Sequence, residues 1–164
     1  MKKMIFSLLL VAGFAAVANA QGTASPRVSA EGKDVKVAYG QPSKKGREIF
    51  GGLEPYGKVW RAGANEATEI TFAKDMKFGG KPVKAGTYSL FVTPNEENWT
   101  IILNPELKQW GAYGYDKIKS KDALQVSVPV KKLSSPVEKL TYRFDNKNNL
   151  FIEWDNVQVQ VPVS

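Results

Sequence analysis

From residue 27 onwards the chain alternates apolar and polar positions with a period of two. Val35, Val37 and Tyr39 form one such set, Ile70 and Phe72 a second, Tyr88, Leu90 and Val92 a third, and Trp99, Ile101 and Leu103 a fourth. That period lines side chains up on one face of a strand. Strands are accordingly predicted over 27–30, 34–39, 68–72, 76–78, 81–83, 87–93, 99–103, 123–130, 137–144, 150–154 and 157–163. Gly79-Gly80 supplies the positive-φ residues of a type I′ hairpin turn, and Pro82, with no N–H to donate, marks that hairpin as an edge. Asp145-Asn-Lys-Asn-Asn149 is a second turn, built of residues that tolerate positive φ. No helical period lasts ten residues. One helical turn over 47–53, stopped by Gly51-Gly52, is the most that is expected.

The alternation fails in two places. One irregular segment starts at Gln41-Pro42 and runs through Gly57 into the crowded stretch 57–68, and a second covers 105–122. Loops of that length inside a compact domain are commonly functional. Short strands at close spacing, with no internal repeat and no linker, predict an all-β fold: a single-domain antiparallel β-sandwich with two long irregular loops.

The first twenty residues follow a different pattern. Met1-Lys-Lys is a positive start, residues 5–17 are an apolar run, and Ala18-Asn-Ala20 is an A-x-A cleavage site. The run is shorter than the ~20 residues a spanning helix needs. Residues 1–20 therefore read as a cleaved signal peptide and 21–164 as the sandwich domain, with no transmembrane segment after cleavage. The expected location is exported, either periplasmic or secreted. No Cys follows the cleavage site, so a lipid anchor on a mature N-terminal Cys is excluded.

Composition narrows the chemistry. There is no His and no Cys, which removes Ser-His-Asp and Cys-His catalysis, imidazole zinc sites and disulfides. Removing Lys2 and Lys3 lowers the net charge from +7 to +5. The lysines are scattered rather than blocked, so a solvated surface is expected and no nucleic-acid partner. Lys147 stands where a calcium loop would need a ligand, and neither a metal nor a cofactor is expected.

What chemistry remains is concentrated in the irregular segments. Arg47 and Arg61 each present a planar fork suited to a carboxylate or phosphate, or to an internal pair with Glu48, Glu54 or Glu66. Arg61 and Glu66 lie across Gly63, so a tight loop folds one onto the other as a structural ion pair; exposed, both would instead await a ligand. Asn65 either contacts ligand or caps a turn. Trp60, Trp110 and Tyr113, with Tyr56 and Tyr115, supply aromatic surface for a sugar or peptide, whereas Trp99 and Trp154 are assigned to the core. For catalysis the available pair of carboxylates is Glu66 and Asp116, the residue types that glycoside hydrolysis uses.

Several runs carry a family resemblance: Gly46-Arg-Glu-Ile-Phe-Gly51, Pro55-Tyr-Gly-Lys-Val-Trp-Arg-Ala-Gly-Ala-Asn-Glu-Ala-Thr68, Ala85-Gly-Thr-Tyr-Ser-Leu90 and Trp110-Gly. Together they resemble the family called domain of unknown function 2911, over residues 25–163. The resemblance implies a bacterial envelope or secreted protein and supplies no activity, cofactor or catalytic residue. The leading expectation is a non-catalytic module that binds a small molecule, glycan or envelope protein at a rim built from 46–66 and 110–116. A hydrolase or lyase using Glu66 and Asp116 is the alternative, and a structural envelope component the third.

The leader makes one prediction. Mass spectrometry of the exported protein should find Gln21, or its cyclised form, at the N-terminus. Met1 retained on folded, exported protein would contradict it.

Overall fold

The strands form largely where the alternation places them. The computed structural model describes residues 25–164, so the expected signal peptide and its expected cleavage site lie outside the described residues. β1 (Arg27–Gly32), β2 (Val35–Gly40), β3 (Thr68–Phe72), β6 (Gly86–Pro94), β7 (Asn98–Asn104) and β8 (Leu124–Pro129) make one antiparallel sheet in the order β1-β2-β3-β6-β7-β8. Facing it is a long ribbon of β9 (Lys131–Phe144) and β10 (Asn149–Pro162). The hairpin of β4 (Met76–Phe78) and β5 (Lys81–Val83) is tied to the end of β10 by Gly79 N–H donating to the Pro162 carbonyl at 2.8 Å. Gly79 and Gly80 take φ of 57° and 80°, as the hairpin turn requires. Pro82 sits in a strand whose only ladder partner is β4. The fold is an all-β, sandwich-like one.

Each inward set comes from the two-residue period. Val35, Val37, Ile70, Phe72, Leu90, Val92, Trp99, Ile101 and Leu103 from the sheet meet Leu140, Tyr142, Leu150, Ile152 and Trp154 from the ribbon. Trp99 is fully buried and Trp154 nearly so, which is where the sequence assigns them.

The strand predicted over 137–144 starts earlier, at Lys131, and two further expectations need correction. The predicted strands 150–154 and 157–163 are one continuous β10, interrupted by register shifts on either side of Asp155. The inward parity changes there from Leu150, Ile152 and Trp154 to Val157, Val159 and Val161. The face resets across Asp155-Asn156, where Asp155 takes φ of 52° and the ladder shifts register against extra residues on β9. The predicted helical turn over 47–53 is instead a set of hydrogen-bonded turns, with Leu53 and Glu54 N–H donating to the Glu48 and Ile49 carbonyls.

The sheet is also covered on its other side. Phe91 and Ile102 point away from the main core and pack with Ala67 and Tyr115 in a smaller apolar cluster. Tyr115 opens a single helical turn, α1 (Tyr115–Ile118), inside the second irregular segment. Its ring lies 5.2 Å from that of Phe91, and its hydroxyl donates to Asp122 Oδ2 at 2.6 Å. Tyr115 is therefore part of the packing and not the exposed aromatic the sequence suggests. Burial and the adjacent Asp122 carboxylate both push its phenol above the ordinary value.

Trp99 touches the ring of Phe50 at 4.7 Å between centroids and that of Trp60 at 6.0 Å, so truncating it opens a large void. Trp99→Ala should cost roughly 3–5 kcal/mol in denaturant unfolding, with the strand-dominated circular dichroism retained. A loss below about 1 kcal/mol would show that the core is not close-packed around this residue.

A candidate cleft where the two irregular segments meet

The first irregular segment satisfies its backbone by borrowing partners from regular strands. Residues 42–44 lie along the edge of β9, where Leu140 N–H donates to the Pro42 carbonyl at 3.0 Å and Lys44 N–H to Glu138 at 2.7 Å. Further on, Trp60 exchanges two backbone hydrogen bonds with Val92, at 2.7 and 2.9 Å, and so becomes a one-residue strand beside β6. Its indole enters the main core, 3% exposed, stacked on Trp154 and edge-on to Phe50 and Trp99. After it the chain turns at Ala62, whose φ is 56°. Two buried hydroxyls hold the Ala62 carbonyl, Tyr142 donating at 2.7 Å and Thr68 at 2.9 Å. Gly40 permits the close pass of the loop, since a Cβ there would stand 2.1 Å from the Ala64 carbonyl oxygen.

The second segment is stapled at its base. Asn104, fully buried, donates from Nδ2 to the Ile118 carbonyl and to Asp122 Oδ1, both at 2.9 Å, and accepts from the Glu106 N–H. Ser89 donates to the Glu106 carbonyl at 2.7 Å. The two segments are then zipped together. Ala67 N–H donates to the Gln109 carbonyl at 2.9 Å and Gly111 N–H to the Asn65 carbonyl at 3.0 Å.

The junction leaves a cleft of about 340 Å³ lined by Leu53, Glu54, Val59, Trp60, Arg61, Ala112 and Tyr113. Trp60 belongs to the lining while its ring is sunk in the core, where its buried Nε1 meets no acceptor among the described residues. Arg61 donates from Nε to the Gly63 carbonyl at 3.3 Å and makes no ion pair among the described residues. Gly111, at φ of 68°, is what lets the walls close: a Cβ there would lie 2.8 Å from the Tyr113 ring and 3.1 Å from Arg61 Nη1. Tyr113 is 83% and Trp110 61% exposed. Among the described residues the large apolar side chains left exposed are Leu53, Leu107, Trp110 and Tyr113, all on these two segments.

The residues singled out from sequence therefore divide. Trp60, Arg61 and Tyr113 line one cleft, with Trp110 in the same loop. Arg47 lines a different one, of about 490 Å³, with Lys45 and Lys139, and its Nε and Nη2 are tied to the Lys44 and Ser43 carbonyls at 2.9 and 2.6 Å. Asn65, at φ of 64°, turns the backbone and donates to the Ser25 carbonyl at 3.4 Å. The expected Arg61–Glu66 ion pair does not form. The backbone zipper to 109–111 leaves Glu66 bridged to Trp110 with its side chain in solvent, while Arg61 faces Glu54. Asp116, on α1, pairs with Lys119 at 3.2 Å with its side chain 88% exposed. Neither Glu66 nor Asp116 lines the cleft.

Glu54 is the residue that sequence reading missed as a site group, having weighed it only as a partner for an arginine. Partial burial pushes its carboxyl up to about 7, against the opposing pull of the Arg61 and Arg47 charges. Its position in Leu53-Glu-Pro-Tyr carries no signal of this, because the desolvation comes from chain folded over it.

The molecule so described belongs to a family of β-rich domains whose function is not established. The chain is a member of the family described as "Protein of unknown function (DUF2911)", whose model matches residues 21–163. No curated protein and no solved structure matches it.

Glu54 gives the fold a pH dependence of definite sign. An acid whose folded pKa lies above the ordinary 4.5 holds its proton more tightly when folded, so its contribution to stability is intact below about 4.5 and lost as pH rises through about 7. Denaturant unfolding between pH 5 and 8 should show stability falling with pH in the wild type and a flatter profile in Glu54→Gln. Identical slopes in the two proteins would mean that Glu54 titrates as a solvated carboxylate.

Proposed function

We propose that this protein is an exported, non-catalytic binding module that takes a small organic molecule in the cleft between 53–61 and 112–113. The observation that carries the reading is the coincidence of two features at one place. Exposed apolar side chains collect on the two converging segments, and the cleft between those segments is lined by an arginine without an ion pair among the described residues and by the Glu54 carboxyl. Solvent-facing aromatics with a few convergent polar groups are how small-molecule sites are built. The volume, about 340 Å³, suits a monosaccharide-sized or aryl ligand. Export follows from the expected signal peptide.

Glu54 favours a second reading, a hydrolase or lyase. A carboxyl with a pKa near 7 is poised for acid–base work at neutral pH. Glycoside hydrolysis ordinarily uses two carboxylates, and Glu54 is the one carboxylate among the residues lining this cleft. Binding is the reading better supported.

A thermal-shift screen of residues 21–164 against sugars, amino acids and small organic acids tests the module. A ligand at a hundred times its Kd stabilises by roughly 2.7 kcal/mol, a readily measured shift. Arg61→Ala and Tyr113→Ala should each abolish that shift, Arg61→Ala costing about 1 kcal/mol or less of stability in the free protein. Stabilisation that survives both substitutions would place binding elsewhere on the molecule, and no stabilisation by any class at millimolar concentration would remove the binding reading.

A further inference from the structure

The polar half of the cleft has an unusual balance. Its lining brings one arginine and one carboxyl together, yet the two form no ion pair within 4.0 Å among the described residues. Arg61 uses Nε on the Gly63 carbonyl, which leaves Nη1 and Nη2, the terminal edge of the guanidinium, without a protein acceptor among the described residues. That edge offers two parallel N–H donors at the spacing a carboxylate accepts. Gly111, with no Cβ, lets the Tyr113 ring and Arg61 Nη1 pack close beside it. The charged groups acting on Glu54 are Arg61 in the same lining and Arg47 from the preceding turn, and Tyr113 is the other titratable residue lining the cleft. With Glu54 neutral the local charge is positive, and a bound anion would be matched rather than repelled.

Resting on the small-molecule reading above, we propose that the cleft binds a small organic acid, its carboxylate on the terminal nitrogens of Arg61 and its second oxygen sharing a proton with Glu54. One carboxyl then donates to the other, an arrangement two ionised carboxylates cannot adopt at contact. The apolar body of the ligand lies against Tyr113 and Leu53. Ligand and proton are bound together, which fits a carboxyl that burial holds near 7 in the free protein. An arginine with an ionised partner beside it would reject the same ligand, so the proton on Glu54 sets both affinity and selectivity. Macromolecular occupants are disfavoured by the size of the cleft, about 340 Å³.

Two matched pairs of probes decide the matter: phenylacetate against phenylacetamide, and D-glucuronate against D-glucuronamide. Each pair differs in the carboxylate, and the two pairs distinguish an aryl acid from a sugar acid. Titrations of residues 21–164 followed by amide and arginine-Nε NMR at pH 6 and 8.5 should show one acid shifting the Arg61 and Tyr113 resonances at least tenfold more tightly than its amide. Its affinity should weaken as pH rises past 7, approaching a tenfold loss per pH unit for one linked proton. Glu54→Gln should retain binding and lose the pH dependence, and Arg61→Lys should weaken the acid at least tenfold while leaving the amide unchanged. An amide that binds as well as its acid overturns the carboxylate assignment and leaves the binding cleft standing. Unchanged pH dependence in Glu54→Gln overturns the shared proton. No perturbation at the cleft by any of the four compounds overturns the organic-acid proposal, whereas the broader screen decides the binding reading itself.

Discussion

Burying Trp60 is the constraint on which the rest of this structure depends. A long segment without ladder partners would leave many backbone groups unsatisfied, and an unpaired buried peptide group costs as much as a lost hydrogen bond. Inserting the indole among Phe50, Trp99 and Trp154 fixes the middle of that segment, and the two bonds to Val92 make it part of the sheet for one residue. The next residue must then face the other way. Arg61 is carried to the surface beside a second loop because Trp60 is carried inward. The site and the core share one anchor.

The polar groups around that anchor are arranged by the same logic. The Ala62 carbonyl would be an orphan at a positive-φ turn were it not for the hydroxyls of Tyr142 and Thr68. Burial keeps the Tyr142 phenol protonated far above neutral pH, so it stays a donor under all ordinary conditions. Asn104 performs the corresponding task for the second segment with every side-chain group engaged near Glu106, Ile118 and Asp122. Two rigidly based loops can therefore carry exposed aromatics without collapsing onto them. Glu54 is the carboxyl in the cleft lining, its charge discouraged by burial, and the two arginines near it offset that only in part.

Membership of a family defined without an activity leaves function to be argued from this geometry. The exposed apolar surface is not scattered, as it is on most soluble proteins, but gathered on the two segments that meet at the cleft.

The two-residue alternation by itself determined most of the strands and their inward faces, and the Gly79-Gly80 pair the hairpin turn, because these depend on neighbours in sequence. It also marked the stretch 57–68 as crowded with large groups between glycines. Only the tertiary structure decided what those groups do. Trp60 and Tyr115 turn inward because partners at Val92, Trp154, Phe91 and Asp122 receive them, and Arg61 misses Glu66 because a backbone zipper to 109–111 claims that part of the loop. The Tyr142 hydroxyl that holds Ala62 is 80 residues away along the chain. Glu54 was invisible as a site residue for the same reason. Its perturbation comes from desolvation by chain packed around it, and no local pattern encodes the dielectric in which a carboxyl will sit.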